Sequence, residues 1–190
     1  MFYLGLDLGK HRDFTALAVL ERTPQELAVR YVERAALGTP YTHVVQRMGE
    51  LTRHRALSGS CYLAVDATGV GVPVVESLRA ANLGCRALSA VTITGGERAR
   101  QTAGFGVGVE HWTVPRADLL GRVQVLLEKG ELKIAKKMRE SGTLVRELIS
   151  MRRRSEGEST VHDDLVLAVA LACWQASQPR PGISGSGRLI

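Results

Sequence analysis

The stretch TVHDDLVLAVALACW, residues 160–174, contains the feature on which the fold of this chain depends. All ten residues after its second aspartate are apolar, which predicts a helix with no solvent-exposed face. Asp163 and Asp164 nevertheless stand side by side at its start, next to His162. A buried carboxylate is costly unless it is paired or bound to a metal. The segment therefore predicts a core helix whose N-terminus faces a cation.

The composition predicts one globular domain. The chain has 190 residues, of which 45% are hydrophobic and 23% charged. The apolar run is too short to span a bilayer and no signal peptide is visible, so we expect no membrane partner and a location in the cytoplasm. Three cysteines without CxxC spacing favour a reducing compartment over a disulfide framework or a zinc site. The net charge of +6 favours a polyanionic partner.

The segments before this helix predict a mixed β-sheet. Residues 2–8, 14–21 and 26–34 read as strands with short connections, which predicts an antiparallel meander. Strands and helices then alternate, so the first and fourth strands can lie side by side and parallel. This is the arrangement of ribonuclease H-like α/β folds. Further strands are predicted over 61–66, 85–93 and 131–135, and helices over 39–56, 71–83, 115–130 and 142–154.

Two segments are expected to lack regular structure. Residues 94–111 are rich in glycine and show no clear period, which predicts a mobile loop or an irregular hairpin. Residues 178–190 are rich in proline, glycine and serine and are expected to form a disordered tail. Residues 1–177 are therefore expected to form a single domain.

Two further carboxylates end buried strands. Asp7 closes the first strand and Asp66 closes the strand CYLAVD. If these strands are parallel neighbours, their ends lie about 4.8 Å apart and both side chains converge at one edge of the sheet. With Asp163 and Asp164 as the third side, this set suits a two-metal site for Mg²⁺ or Mn²⁺. In such a site one ion activates water and the other stabilises the leaving oxygen of a phosphodiester.

Each of these aspartates also has an ordinary structural interpretation. Asp7 could start a turn, Asp66 could accept hydrogen bonds from the amides of the following TGVG, and Asp163 and Asp164 could be first-turn carboxylates. His162 could be a proton shuttle or an outer ligand, or only a polar residue near the helix cap. The metal interpretation is favoured because each carboxylate interrupts a strongly apolar element at the expected end.

Four segments together resemble a known family, the nuclease domain of the large terminase subunit of tailed bacteriophages. The last is the most specific, because terminase nucleases characteristically end in an apolar helix that carries two aspartates. In family order, over most of residues 3–175, the segments are GLDLGKHRDFTALAVLE, YLAVDATGVGVPVVESL, VPRADLLGRVQVLLEKGELKI and HDDLVLAVALA.

The resemblance implies a ribonuclease H-like nuclease that cuts concatemeric viral DNA in the cytoplasm of a bacterial host, with Mg²⁺ or Mn²⁺ as cofactor. Asp7, Asp66, and Asp163 or Asp164 match the acidic metal-binding cluster, and Asp13 matches an accessory acidic position. A packaging ATPase, the small terminase subunit and the portal are the implied partners. The chain departs from the complete large subunit because it has no GxxxxGK[ST] phosphate loop, so we expect no ATPase activity from it.

Basic clusters predict how DNA is held. A nuclease with little sequence preference needs phosphate contacts more than base contacts. We expect residues 94–111 and 133–154 to flank the acidic cluster and follow the duplex backbone. The residues proposed for these contacts are Arg98, Arg100, Lys133, Lys136, Lys137, Arg152, Arg153 and Arg154.

Three alternatives remain open on sequence alone. The GLDLGK and DATGVG segments also resemble the ATP-binding loops of the actin and sugar-kinase group, although that fold normally needs two such domains. A Holliday-junction resolvase of the RuvC type would use similar carboxylates as a dimer. A catalytically inactive module would only dock DNA or a portal protein.

Overall fold

A computed structural model of the chain describes residues 1–9, 13–69, 71–103, 108–154 and 162–179. The strands are β1 (Phe2–Asp7), β2 (Ala16–Arg22), β3 (Leu27–Arg34), β4 (Cys61–Asp66), β5 (Ala87–Thr94), β6 (Arg100–Thr102), β7 (Val109–Pro115) and β8 (Leu132–Ile134). The helices are α1 (Tyr41–Thr52), α2 (Gly71–Ala80), α3 (Arg116–Glu128), α4 (Ser141–Arg154) and α5 (Asp164–Ser177). In the described part of the chain, no helix combines the length and the apolar character needed to cross a membrane.

All eight strands form one mixed sheet in the order β6-β7-β5-β4-β1-β2-β3-β8. β1, β2 and β3 form the predicted antiparallel meander. β4 lies beside β1 and parallel to it, as the sequence predicted. β5 and β7 continue in the same direction, and β8 pairs in parallel with β3. The carboxyl ends of β1, β3, β4, β5 and β7 therefore meet at one edge, which we call the carboxyl edge, whereas the short β8 ends beside the start of β3.

The sheet separates two apolar cores because successive residues of a strand point to opposite faces. In β1, Leu4 and Leu6 pack toward α1 and α2, whereas Tyr3 packs toward α3, α4 and α5. From Asp164 to Gln175 every residue of α5 is buried. The apolar C-terminal stretch is thus a core helix, as predicted, and it lies directly on β1 and β2.

A glycine allows α5 to lie this close to the sheet. A Cβ added at Gly5 would stand 1.9 Å from the carbonyl oxygen of Ala168 and 2.8 Å from the amide nitrogen of Ala172. The backbone of β1 at Gly5 therefore contacts the backbone of α5 at Ala168 and Ala172. This contact fixes the height of α5 above β1, and with it the position of the helix N-terminus.

The structure resolves the glycine-rich segment in favour of a hairpin. β6 and β7 pair antiparallel, from Arg100 opposite Thr113 to Thr102 opposite His111, while residues 104–107 lie outside the described part. β7 itself was not predicted, and the helix expected from position 115 begins at Arg116 because β7 includes Pro115. Of the predicted tail, residues 180–190 lie outside the described part, so its disorder stays a prediction.

Candidate active site

β1 and β4 bring two carboxylates to the carboxyl edge. The paired register of the two strands runs from Phe2 opposite Cys61 to Leu6 opposite Val65, and Asp7 and Asp66 are the next residues on each strand. Asp7 is 6% exposed. The strand register therefore places Asp7 and Asp66 at neighbouring positions of the carboxyl edge, as the sequence predicted.

The start of α5 adds two more carboxylates at the same place. Asp163 is the N-cap residue and Asp164 the first helical residue, which is 6% exposed. Within the described part of the chain, the Asp163 side chain makes no capping hydrogen bond to the helix. Because α5 lies along β1, both aspartates stand near Asp7.

The electrostatics of Asp7 show that the four carboxylates form one cluster. Burial raises the pKa of Asp7 well above its usual range, and the negative charges of Asp66, Asp164 and Asp163 raise it further. The Arg116 guanidinium acts in the opposite direction. Burial also raises the pKa of Asp164, with Arg34 and His162 opposing. A cation would relieve the repulsion that these groups exert on one another.

Each carboxylate of the cluster has different partners. An Asp66 oxygen accepts a 2.8 Å hydrogen bond from the Thr68 amide, so the turn-forming role considered for this residue exists alongside its place in the cluster. Asp163 is paired with Arg116. The Oδ2 atom of Asp164 is buried and receives no hydrogen bond from the described residues.

The residues of the cluster fit a hard divalent cation in kind and in charge. As the side chains stand, no group of three or more His, Cys, Asp or Glu residues in the described part of the chain is arranged to hold an ion. The donors are nevertheless all carboxylate oxygens, which Mg²⁺ and Mn²⁺ prefer. The buried Asp164 Oδ2 atom and the mutual repulsion on Asp7 are what such an ion would compensate.

The two accessory candidates also lie at this end of the molecule. His162 is exposed, with its Nδ1 atom 3.9 Å from Asp164 Oδ2 and its ring edge-on to Phe14 at 5.3 Å between centroids. Asp13 is exposed, and its charge contributes to the raised pKa of Asp164.

The basic candidates lie toward the two ends of the strand order. Because β6 is antiparallel to β7, it begins at the carboxyl edge, where Arg98 and Arg100 are exposed. β8, on the far side of the sheet, runs in the same direction but pairs only with the start of β3, Leu27 to Val29, and the exposed Lys136 and Lys137 follow it. The remaining candidates are Lys133, exposed within β8, and Arg152, Arg153 and Arg154, which close α4 with side chains outside the described part.

Three charged residues at the site were not predicted from the sequence. Arg34 ends β3 and Arg116 follows β7, both at the carboxyl edge, while Glu147 lies inside α4 and is 3% exposed. Burial raises the pKa of Glu147 to about 7, with Arg34 opposing. A charged residue directly after a strand is a signal that could have identified Arg116, had β7 been recognised.

Comparisons with solved structures identify the fold. The large terminase nuclease from thermophilic phage G20c superposes with a TM-score of 0.60 at 21% identity, over 92% of this chain and 82% of that one. The human cytomegalovirus terminase nuclease domain, soaked with Mn and with inhibitor bound, gives 0.60 at 14% identity, over 92% and 82%. The large terminase of another thermophilic bacteriophage gives 0.58 at 12% identity, over 90% of this chain and 38% of that one.

No protein-family model and no curated protein matches the sequence. At these identities the likeness establishes the architecture. The chain has the ribonuclease H-like fold seen in terminase nuclease domains, and the resemblance inferred from its sequence is confirmed at the level of the fold.

Proposed function

We propose that this chain is a DNA endonuclease that hydrolyses phosphodiester bonds with Mg²⁺ or Mn²⁺ at a two-metal site. One observation carries the proposal: Asp7 is buried at the carboxyl edge, and the charges of Asp66, Asp163 and Asp164 all act on it. Such mutual repulsion in a buried position costs stability, and it is typical of sites that bind a cation or perform chemistry.

Asp7, Asp66 and Asp164 are the residues proposed to hold the metals, with Asp163 beside them. The Mn-soaked cytomegalovirus terminase nuclease, which shares this fold, supports a divalent cation. When bound, the ions would supply an activated water and charge stabilisation at the leaving oxygen. His162, exposed and 3.9 Å from Asp164, is placed to carry a proton between the site and solvent.

Duplex DNA is the proposed substrate. The basic groups toward the two ends of the strand order, Arg98 and Arg100 beside β6 and Lys136 and Lys137 after β8, are proposed to contact phosphates on either side of the carboxylates. Lys133 and the three arginines at the end of α4, Arg152 to Arg154, are proposed as further phosphate contacts because they belong to the same basic part of the sequence. Contacts of this kind give affinity without sequence preference.

The biological role we propose is the cutting of concatemeric viral DNA during genome packaging. The structural likeness to nuclease domains of phage and cytomegalovirus terminases supports it. The role implies a packaging ATPase, a small terminase subunit and a portal as partners, and a bacterial cytoplasm as the place of action.

A cleavage assay tests the proposed function. The protein is incubated with supercoiled plasmid or with a four-way junction, in Mn²⁺, Mg²⁺ or EDTA. We expect plasmid cutting that requires metal and is reduced at least about 100-fold in both Asp7→Ala and Asp66→Ala, because removing the oxygen ligands removes the ions. Asp118→Ala, which removes an exposed carboxylate from α3, is the matched control and should cut normally.

The other outcomes separate the alternatives. Cutting confined to the junction would indicate a resolvase, and DNA binding without cutting would indicate a docking module. Cutting that persists in EDTA would exclude the metal mechanism. ATP hydrolysis by the pure protein would contradict the expectation that it lacks a motor activity.

A further inference from the structure

Glu147 is a buried carboxylate on α4 that contacts the start of α5. Its Oε2 atom accepts a 3.2 Å hydrogen bond from the Val166 amide. The first N–H groups of a helix have no partner within the helix and carry the positive end of its dipole. Because the Asp163 side chain does not cap α5 within the described part of the chain, the carboxylate of another helix performs this function.

The second oxygen of Glu147 binds Arg34, at the end of β3. Its Oε1 atom accepts a hydrogen bond from the Arg34 guanidinium. The guanidinium carbon also lies 4.9 Å from the centre of the Phe14 ring, which supports the group from one side. Arg34 is thus held in place by an anion and by an aromatic face.

This arrangement keeps Arg34 close to Asp164 without bonding to it. The nearest guanidinium nitrogen is 3.6 Å from Asp164 Oδ2, and that oxygen receives no hydrogen bond from the described residues. Asp163, unlike Asp164, is hydrogen-bonded directly to an arginine of the described part of the chain. This partner is Arg116, whose side chain is 41% exposed. One aspartate of the pair is neutralised by a solvent-accessible arginine, whereas the other faces an arginine already bonded to Glu147.

We propose that Glu147 and Arg34 are positioning residues for Asp164. Glu147 fixes the start of α5 and draws the Arg34 guanidinium toward itself, which leaves the Asp164 oxygen available to a divalent cation. The proposal rests on the proposed function, since it assigns Asp164 as a metal ligand. It makes the buried Arg34–Glu147 pair part of the metal site and not only a contact that stabilises the fold.

The two residues are therefore expected to act on metal affinity in opposite directions. Glu147→Gln keeps an oxygen that can accept the Val166 amide but removes the anion that holds Arg34. Arg34 then pairs with Asp164, and Mn²⁺ binding should weaken roughly tenfold. Arg34→Gln removes the competing cation, and Mn²⁺ binding should tighten by a roughly similar factor although the fold loses stability. The double variant should return to near the wild-type affinity.

Titration of the apo protein with Mn²⁺, followed by calorimetry and by electron paramagnetic resonance, tests this without measuring cleavage. Arg30→Gln and Glu21→Gln are the matched controls, because they break an exposed arginine–glutamate pair between β3 and β2 and should leave the affinity unchanged. If Arg34→Gln does not fold, Glu147→Gln and the double variant decide the matter, since the double variant leaves no unpaired charge from either residue.

The failures of the two proposals are distinguishable. If the wild type binds no Mn²⁺, or if Asp7→Asn binds it equally well, the metal site itself is wrong and the positioning role with it. If the wild type binds Mn²⁺ through Asp7 but Glu147→Gln keeps the wild-type affinity, only the positioning role is overturned. A purely structural pair would weaken binding in both single variants, and that result would also contradict the proposal.

Discussion

Asp7 occupies a position that opposes folding when its carboxylate is ionised. Its carboxylate is buried, and three other negative charges act on it, so its pKa is raised well above the usual range. The folded protein therefore holds this proton more tightly than the unfolded chain does. Stability must then fall as the pH rises from the unfolded pKa of Asp7 toward its folded pKa, and it is unaffected by Asp7 at lower pH.

We expect Asp7→Asn to stabilise the metal-free protein. The amide removes the ionisation that opposes folding, so the variant should be more stable by about 1–2 kcal/mol at neutral pH, or a few degrees in melting temperature. The gain should shrink as the pH falls and close below about pH 3, where both states of the wild type hold the proton. Thermal unfolding in EDTA across this pH range measures it.

Two comparisons make this measurement specific. Glu131→Gln neutralises an exposed carboxylate at the opposite edge of the sheet and should show no such pH-dependent gain. Adding Mn²⁺ should make the wild type more stable than Asp7→Asn, because the ion stabilises only a protein that binds it. If Asp7→Asn is less stable than the wild type at neutral pH in EDTA, the ionised Asp7 carboxylate does not oppose folding.

At the scale of single residues, the sequence revealed the charged residues that lie at the ends of apolar segments. Asp7, Asp66 and the pair Asp163 and Asp164 could be proposed as a site because each interrupts a buried strand or helix where polar residues are otherwise absent. Arg34 and Glu147 could not, because they are 113 positions apart in the chain and become partners only when β3, α4 and α5 meet. A charged residue within a helix such as α4 reads as a solvated one until the packing is known.

At the scale of elements, the contact between β1 and α5 determines where the carboxylates stand. Gly5 permits it, since any side chain there would meet the helix backbone at Ala168 and Ala172. The glycine and the alanines are spaced to let a strand and a helix approach closely, and α5 then places Asp163 and Asp164 near Asp7. The position of the aspartates proposed to bind metal is thus coupled to a contact several residues away.

We expect Gly5→Ala to be strongly destabilising. The added methyl group would lie 1.9 Å from a carbonyl oxygen, so α5 must move away from the sheet at a cost of about 3 kcal/mol. Denaturant unfolding measures the loss, and Mn²⁺ affinity should fall with it because the start of α5 moves. Gly121→Ala in α3 is the matched control, since the added Cβ would have no described atom within 4 Å apart from its chain neighbours and the backbone of its own helix. Equal stability of Gly5→Ala and the wild type would show that the contact is not tight.

The elements themselves were largely predictable from apolar patterning. The strand predicted over 61–66 matches β4, and the short strand expected near 131–135 is β8 at the sheet edge. β7 was missed because most of its residues are only partly buried and its start lies in a glycine-rich segment, so no alternation marks it. β7 is a strand because it pairs with β5 on one side and β6 on the other, and this pairing leaves no mark in the sequence of β7 itself.

At the scale of the whole molecule, acidic and basic groups are separated across the width of the sheet. The four carboxylates lie near the middle of the sheet, at β1 and β4, and basic residues lie toward β6 on one side and after β8 on the other. This separation keeps the basic groups about three to four strands away from the cluster, or roughly 14–19 Å. They can therefore bind phosphates without neutralising the carboxylates.

We expect the double variant Lys136→Glu/Lys137→Glu to bind duplex DNA at least about tenfold more weakly in EDTA, with a shallower dependence on salt. Each lost phosphate contact should reduce the slope of log affinity against log salt by about one. The control Arg22→Glu/Lys129→Glu changes two exposed residues at the opposite edge. Each substitution replaces a positive with a negative charge and lowers the net charge by two, so both double variants fall from +6 to +6 − 4 = +2. Equal losses in the two variants would mean that net charge, and not a path along the carboxyl edge, attracts the DNA.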